Sequence, residues 1–586
     1  MNLFIHGRLG HFLMSEAPAD GAPSGAAEPV PTPAAEPQTR HSVGALNSFA
    51  DNQVPTVFEF DTEHRLGTGD VIYDTATIQA AINGTSGALS LGEFGTSFTV
   101  SRLTGRSNLD LQGRGTLDFS SNASYASAVA DPLFRFPGTA GAARALTANA
   151  TPGTKVISVD TAGIAAGDII EIGTPGNAAD FIDTSTAVSN AETRKVARII
   201  SAGQLELSDP IVDEIGYSVA NLGQVRLLST MKNVTIREGV TIKGKGRPAS
   251  GSGDIGIVFF YGETVKVHCK FLGVDSSAVR FESCYDAEAS WCRVKHDPQG
   301  ANTTVNYGIV PSSSSSWVKI HHNFFENMRH AVVTSHLSAG LGLGIIGVVR
   351  ELDIYNNYII NTWHAGIATH NDADRVRIYK NMLVGCFQGI NPRERNIEVS
   401  GNNFHWCGQG VVITSHPRNL LIENNEFEDI PGSAILGTWD GARDCTDLTI
   451  RGNKATRMGG GISITLPAPV VAHERIFIED FIATDVTGAG GTQAVIRING
   501  ASFTGGTLIG HRIRKVTGAS GIAIASGAND VPIAGNVVRD ITGSAFSTGG
   551  TLVNVFGKGN YYPTGTWTGN SALTNSATFL ADNTAY

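Results

Sequence analysis

The sequence predicts an all-β protein built on a right-handed parallel β-helix, with a small inserted β domain. The pattern apolar-x-apolar-x-x-Asn returns seven times, with asparagine at positions 323, 357, 381, 402, 425, 453 and 536. The asparagines from 357 to 453 lie 21 to 28 residues apart, which is the period of a solenoid whose units bury their apolar faces only against their neighbours. No helical stretch of comparable strength interrupts this region. Right-handedness is expected because parallel crossovers nearly always have that hand.

Each position of the repeat has a predicted direction. The apolar residues before each asparagine alternate with polar ones, as in a strand with one buried face, and the positions two and five residues after it are mostly apolar and therefore predicted to point inward. The asparagine itself is predicted to adopt left-handed backbone geometry in a turn and to bond along the stack through its amide. The outward residues Lys319, Asp353, Arg377 and Glu398 alternate in charge, which indicates a solvated structural face.

The chain divides into five predicted segments. Short strands between Gly/Pro turns interrupt the repeat and predict a small inserted barrel or sandwich, whereas six prolines between positions 17 and 37 predict an extended linker. The segments are an anchor peptide and linker (1–55), a cap with the first coils (56–141), the insert (142–228), the main β-helix (229–556) and a C-terminal cap or oligomerisation segment (557–586).

Composition and charge exclude several classes of protein. A formal net charge of −10 and a pI near 5.9 argue against nucleic acid as a partner, and no apolar run is long enough to predict membrane insertion. The six cysteines lack zinc spacing, and Cys386 and Cys407 are predicted to stack as thiols.

Met1 to Met14 makes a poor signal-peptide core. A short tag, a tether and a large solenoid indicate a protein carried outside a cell on a virus particle, with leaderless secretion as the alternative.

A stripe of polar and aromatic residues marks the candidate site. Seven residues after the asparagine, four consecutive coils carry an imidazole or an amide, and neighbouring positions add histidine, arginine, carboxylate and tryptophan. The stripe spans about 15 Å at the spacing of parallel strands, a length that suits a few sugar units. The predicted members are Arg329, His330, His336, Trp363, His364, His370, Asp372, Gln388, Arg393, Glu394, Gln409 and His416.

A single outward histidine is often an ordinary surface residue, and a glutamine column can be a structural ladder. Here, however, two histidines bracket the same strand on each of two neighbouring coils: His330 with His336, and His364 with His370. This arrangement favours a functional groove. The segment His370 to Asp374 is a weak candidate for calcium because it lacks spaced oxygen ligands. No metal or other cofactor is predicted.

The coil repeat Val-x-Ile-x-x-Asn-x-Phe, the segment TATIQAAIN (75–83) and the Gly-Asp-Ile-Ile-Glu-Ile of the insert resemble the pectate-lyase-like superfamily of right-handed β-helices. Within it, the chain is most similar to bacteriophage tailspikes that degrade bacterial surface polysaccharide. The resemblance covers about residues 56–560; the repeat is specific for fold and unspecific for activity. It implies a homotrimer attached to phage tail or adaptor proteins through residues 1–40, with a groove along 330–334, 364–369 and 409–414. The acidic calcium cluster and paired aspartates of pectin-degrading relatives are not found.

Two chemistries fit the stripe. In β-elimination on an acidic polymer, Arg329 or Arg393 neutralises a carboxylate while His330 or His364 abstracts the proton, and His370 is a further catalytic candidate. In hydrolysis, Asp372 and Glu394 flank the bond. The excess of histidine and arginine favours elimination. His336, Gln388, Gln409 and His416 are then expected to contact substrate, and Trp363 and Trp439 to stack on sugars. The alternatives are a non-catalytic receptor-binding spike or adhesin, and a secreted bacterial polysaccharide lyase.

Overall fold

The computed structural model describes most of the chain from residue 75 onward. The described residues are 75–85, 87–92, 94–126, 131–174, 191–214, 216–246, 253–296, 306–335, 347–370, 373–393, 395–414, 418–438, 444–469, 472–488, 494–524, 528–544, 546–548, 552–553, 556–558, 560 and 567–569. The predicted anchor and linker (1–55) lie outside this set, as do residues 570–586. One helix, Thr75–Gly84, precedes the strands in the described part of the chain and buries Ile78 and Ile82. It is too short to cross a membrane, and no described helix meets that requirement.

The chain then winds into coils whose strands form three faces of a parallel solenoid. The first face is a 17-stranded sheet. Its strands are Ala88–Ser90, Asp110–Gln112, Met231–Ile236, Gly262–Val267, Tyr285–Ser290, Ser316–His321, Val349–Tyr355, Ala373–Tyr379, Arg395–Ser400, Arg418–Glu423, Thr446–Arg451, His473–Glu479, Phe503–Ile509, Ala528–Asn529, Pro532–Ala534, Leu552–Val553 and Phe556–Lys558.

The second and third faces belong to one 27-stranded sheet, because the long strands Glu426–Thr438 and Lys454–Leu466 run across both. The other strands of the second face are Ser97–Thr99, Thr116–Asp118, Thr241–Lys243, Lys270–Leu272, Arg293–Lys295, Phe324–Glu326, Tyr358–Ile360, Met382–Val384, Asn403–His405, Ile482–Val486, Arg512–Val516 and Val537–Ile541. Those of the third face are Leu103–Thr104, Phe134–Pro137, Ile255–Phe260, Ser277–Glu282, Tyr307–Ser312, His330–Val333, Ala365–Ala368, Gln388–Asn391, Gln409–Ile413, Ala494–Gly500, Ser520–Ile524, Phe546–Thr548 and Trp567–Gly569.

A six-stranded antiparallel sheet interrupts the early coils. In sheet order its strands are Thr139–Ala145, Gln224–Ser229, Ile169–Gly173, Ala191–Ser201, Gln204–Leu207 and Val156–Ser158. It has its own apolar core, which includes Ile157, Ile172, Val196, Leu205 and Tyr217. A second cluster, in which Ile169 and Leu228 of the sheet pack with Val258 and Phe260 of the coils, joins the insert to the solenoid.

A buried network of charges joins this insert to the first face. Arg350 is fully buried; its Nη2 donates to Asp213 of the insert at 2.7 Å and its Nη1 to the Ala191 carbonyl at 2.5 Å. Asp374 lies 3.6 Å from the guanidinium groups of both Arg350 and Arg395. Because an unpaired buried charge is costly, these contacts fix the insert against the coils.

The core of the solenoid follows the predicted columns. Phe325, Ile359, Leu383, Phe404 and Phe427, each two residues after an asparagine, are buried together. The position five residues after it is also buried, as at Met328, Cys386 and Cys407. All six cysteines are free and buried, which agrees with the predicted thiol stack.

The asparagines form a ladder of side-chain amides in two runs. Asn381 Nδ2 donates to Asn402 Oδ1 at 3.0 Å and to the Ile354 carbonyl at 2.9 Å, while its backbone amide donates to the same Oδ1 at 2.9 Å. The amide-to-amide bond repeats from Asn323 to Asn453 and again from Asn536 to Asn560. The predicted bonding along the stack is confirmed.

The left-handed turn falls one residue earlier than the sequence analysis predicts. Lys380 has φ 54° and Gly401 has φ 59°, whereas the asparagines that follow them do not have positive φ. The prediction that the asparagine adopts this geometry is wrong, because the turn is made by the preceding residue and the asparagine itself points inward to carry the ladder.

Candidate functional site

The strands of the third face carry or flank the predicted site residues that the structure describes, and this face is fixed closely against the core. A Cβ atom at Gly389 would lie 2.4 Å from the Phe404 ring, and one at Gly410 would lie 2.4 Å from the Phe427 ring. These phenyl rings stack on each other with centroids 4.7 Å apart. Only glycine permits this close approach, so the core sets the depth of the third face and of the side chains that follow each glycine.

The register of these strands differs from the predicted column at one coil. Tyr307 pairs with His330, and Ala365 pairs with Gln388, which pairs with Gln409. Val332 pairs with Ile367, so Ala365 rather than His364 lies opposite His330. The prediction that His364 shares this position is wrong, because its coil has one additional residue before the strand begins.

His330 lies beneath the surface. Its side chain is 1% exposed, and its Nδ1 lies 2.7 Å from the Ala365 carbonyl, to which it donates. Burial, with the nearby His364 and His370, holds the pKa of His330 well below its usual value. The imidazole is therefore neutral, with its proton on Nδ1. Its ring stacks on Tyr307 with centroids 5.6 Å apart.

His364 is the histidine that reaches the surface. It is half-buried, and its ring meets that of His330 edge to face with centroids 4.9 Å apart. Its Nδ1 is buried and has no hydrogen-bond partner among the described residues. Because the side chain as a whole is half-buried, Nε2 is the ring nitrogen left to meet a ligand. Burial and then the charges of Arg329 and Arg393 lower the pKa of His364 below 6.5.

Arg329 and Trp363 lie at the near end of the site. The half-buried Arg329 donates from Nη1 to the Tyr307 hydroxyl at 3.2 Å, and its guanidinium carbon lies 5.8 Å from the centre of that ring. Trp363 is half-buried on the next coil, where its backbone amide donates to the Met328 carbonyl at 3.1 Å. A cation and two aromatic rings therefore border His364 on this side.

His370 and Arg393 lie at the far end, where buried threonines hold their backbones. The His370 amide donates to Thr334 Oγ1 at 2.8 Å. Thr369 Oγ1 accepts from the Arg393 amide at 2.7 Å and donates to the Arg393 carbonyl at 3.0 Å. The Arg393 Nε also donates to Asn391 at 3.4 Å. His370 lies 6.1 Å from His330, measured between ring centroids.

Gln388 and Gln409 continue the site on the next two coils. Both side chains are half-buried, and no hydrogen bond joins their amides. The Oε1 of Gln388 is buried and lacks a partner in the described part of the chain. The alternative of a structural glutamine ladder is therefore not what the structure contains.

Five predicted site residues lie outside the described residues: His336, Asp372, Glu394, His416 and Trp439. Asp374, which ends the weak calcium segment, is buried among arginines of the first face instead of facing a ligand site. Across the described ranges, no group of three or more His, Cys, Asp or Glu side chains has an arrangement that suits a metal ion.

Tyr307 is a site residue that the sequence analysis missed. It stands in the same position of the coil as His330, one coil earlier. That coil carries Cys292 where the coil that follows carries the ladder asparagine; the Cys292 amide donates to Asn323 Oδ1 at 2.8 Å. Tyr307 lies 15 residues after Cys292, whereas His330 lies seven after Asn323, so only matching the apolar strand Tyr307–Ser312 to His330–Val333 would have found it.

Comparison with known proteins supports the fold. Residues 341–480 match the family model described as right handed beta helix region. The structure is similar to the tailspike gp61 of Pseudomonas phage phi297, with 16% identity, 84% of this chain and 75% of that chain covered, and a TM-score of 0.52. The structure is also similar to the tailspike Gp54 of Acinetobacter baumannii bacteriophage AP22, solved with A. baumannii capsular saccharide. The two chains are 13% identical, the match covers 92% of this chain and 81% of that chain, and the TM-score is 0.49. No curated protein matches the sequence. The predicted right-handed parallel β-helix is confirmed.

Proposed function

We propose that this protein is a tailspike that binds an acidic polysaccharide of the bacterial surface and cleaves it by β-elimination. The observation that carries the proposal is the position of His364, a partly exposed imidazole beside two arginines, whose pKa is lowered by burial first and then by the charges of those arginines. A base flanked by two fixed cations is the arrangement that a uronate substrate requires. The tailspike fold of the Pseudomonas phage protein is consistent with this role but does not carry it.

Each of four side chains has one role in the proposed elimination. Arg329 and Arg393 pair with the uronate carboxylate and so stabilise the negative charge that develops when the C5 proton leaves. His364 Nε2 takes that proton. The electrons of the C5–H bond form the C4–C5 double bond, and the C4–O bond breaks. The departing oxygen takes a proton from the Tyr307 hydroxyl, and exchange with water returns that proton from His364 to Tyr307.

His364 is preferred over His330 as the base because of exposure. His330 is 1% exposed and its Nδ1 is held by the Ala365 carbonyl, so it supports the ring of His364 from below. Hydrolysis requires two carboxylates on either side of the bond. Its predicted pair, Asp372 and Glu394, lies outside the described residues, and the proposal of elimination rests on the imidazole of His364 and the two neighbouring arginines.

The wider assignment is part of the same proposal. Residues 1–40 attach the protein to phage tail or adaptor proteins, three copies assemble into the spike, and the enzyme acts at the host cell surface. A secreted lyase of the same chemistry would instead be a monomer. Measuring the mass of the purified protein in solution separates these two settings.

The first test is to incubate the protein with a panel of acidic bacterial exopolysaccharides while following ultraviolet absorbance and reducing ends. Absorbance from the new double bond together with new reducing ends is the expected result. Reducing ends without that absorbance would replace elimination by hydrolysis. Binding without either signal would make the protein a non-catalytic receptor-binding spike.

A further inference from the structure

Trp406 combines two unusual features at the corner between the second and third faces. Its backbone is left-handed, with φ 51°, and its side chain is 55% exposed. Bulky residues avoid this conformation because Cβ approaches the following carbonyl oxygen. A strained and exposed indole is therefore not explained by burial.

The same corner on neighbouring coils uses residues that suit the geometry. The left-handed residue there is Asn327, Asn361 and then Gly385 on the preceding coils, and Asp429 on the coil that follows; on later coils it is Arg457, Asp485, Lys515 and Asp540, so Trp406 is the one aromatic residue in this column of the described coils. Glycine, asparagine and aspartate accept positive φ at little cost. Trp406 thus replaces a residue type that would make the coil more stable, which indicates a role for the ring outside the fold.

The packing around the indole leaves its ring open. The nearest aromatic ring, that of His405, is tilted and has its centroid 6.3 Å away. Gly385, in the same corner of the preceding coil, has no side chain to cover it. The ring therefore contributes little to the core and presents an apolar face to the solvent.

Trp406 lies close to the proposed site. It precedes Gln409 by three residues, and Gln409 pairs with Gln388 on the coil next to that of His364. At the usual rise per residue and spacing between strands, the indole stands roughly 10–15 Å from His364. This distance corresponds to a few sugar units along a bound chain.

We propose that Trp406 is a carbohydrate-stacking platform that holds one pyranose unit of the polysaccharide, remote from the bond that is cleaved. The inference rests on the proposed function and extends it by a subsite. The apolar C–H face of a pyranose matches an exposed indole, and tryptophan is a frequent anchor where one partner is otherwise polar. A remote anchor of this kind binds ground state and transition state equally and so acts on KM more than on kcat.

The structure provides a matched control. Trp317 on the first face also has left-handed geometry, with φ 59°, and is 40% exposed. Trp406→Asn and Trp317→Asn should each keep or raise the melting temperature, because asparagine suits the backbone better. Only Trp406→Asn should weaken binding, with a dissociation constant for the polysaccharide about tenfold higher and, where the chain is cleaved, KM raised with kcat within about twofold.

Equilibrium binding to the same panel of polysaccharides, measured for the wild-type protein and both variants, decides the proposal. Weaker binding in Trp406→Asn, with Trp317→Asn unchanged, supports the platform whether or not the chain is cut. Unchanged affinity in Trp406→Asn would overturn the platform while leaving any cleavage by the wild-type protein intact. A wild-type protein that binds no member of the panel would overturn the proposed function as well.

Discussion

The asparagine ladder and the polar surface of the third face are built on the same coils, yet they treat their polar groups in opposite ways. In the ladder, each amide is fully engaged: Asn402 Nδ2 donates to Asn425 and to the Ile378 carbonyl, and its Oδ1 accepts from Asn381. On the third face, His364 Nδ1 and Gln388 Oε1 are buried without a partner in the described residues. Because each such group costs about 1–3 kcal/mol, the ladder contributes stability and the site lowers it.

This difference teaches where a repeat protein places its function. Positions that repeat from coil to coil satisfy one another, since each coil offers the next the same donor and acceptor. Polar side chains at positions that break the repeat find no such partner on the next coil. Their donors and acceptors therefore remain able to bind a ligand. We therefore expect substitutions in the ladder to change stability alone, and substitutions in the site to change activity alone.

The largest expected effect comes from removing one rung of the ladder. Asn402→Ala removes the acceptor of the Asn381 backbone amide, one bond of the Asn381 side-chain amide and the side-chain donor to the Ile378 carbonyl, so the free energy of unfolding should fall by about 3 kcal/mol or more. Chemical denaturation measures this change. The control is Asn403→Ala, where the adjacent outward side chain makes no hydrogen bond to the described residues and the loss should be small. Equal losses in both variants would mean that the ladder contributes little.

The second effect is on catalysis. His364→Ala should lower kcat by about 100-fold because it removes the general base, while the melting temperature stays nearly the same. His405→Ala, a half-buried histidine of the second face that pairs with Glu428 at 3.0 Å, should keep full activity. Full activity in His364→Ala would remove the base from the proposed mechanism. His330→Ala is a poor test because its buried ring also supports the fold.

The sequence was sufficient for the fold and for part of the site. Repeating columns such as Phe404 and Phe427 depend only on neighbouring coils, so local periodicity predicts them. The burial of His330 and the offset of His364 depend on one extra residue in a single coil, which a column count cannot reveal. Asp374 contacts an arginine network completed by the insert, far away in sequence, and no local pattern indicates it.

The third prediction uses an imperfect rung of the ladder. His511 occupies an asparagine position: its backbone amide donates to Asn536 at 3.0 Å, and its Nδ1 accepts from the Phe481 amide at 3.2 Å. Burial lowers its pKa from 6.5 to about 3. A group with a depressed folded pKa stabilises the protein above its unfolded pKa and loses that contribution as pH falls, here from about 6.5 toward 3.

His511→Asn should therefore gain about 2 kcal/mol of stability relative to the wild-type protein between pH 7 and pH 5, because asparagine does not titrate. Denaturant unfolding at both pH values measures the gain. His405→Asn, on the surface of the second face, should show no such gain. A stability difference between His511→Asn and wild type that does not change with pH would show that the buried imidazole is not held neutral.

The smallest expected effect is a shift in the pH dependence of activity when one positive charge is removed from the site. The elimination requires a neutral His364, so activity should fall as pH drops through its pKa, which lies below 6.5 because of burial and the charges of Arg329 and Arg393. Arg329→Gln removes one of those charges, so the acid limb of the kcat/KM profile should move to higher pH, even though binding of the uronate is weaker throughout. Arg377→Gln, whose guanidinium pairs with Asp353 on the exposed first face at 2.7 Å, should leave the limb in place. A limb that stays fixed in Arg329→Gln would indicate that another group takes the proton, because uniform loss of binding changes the height of the profile and not its position.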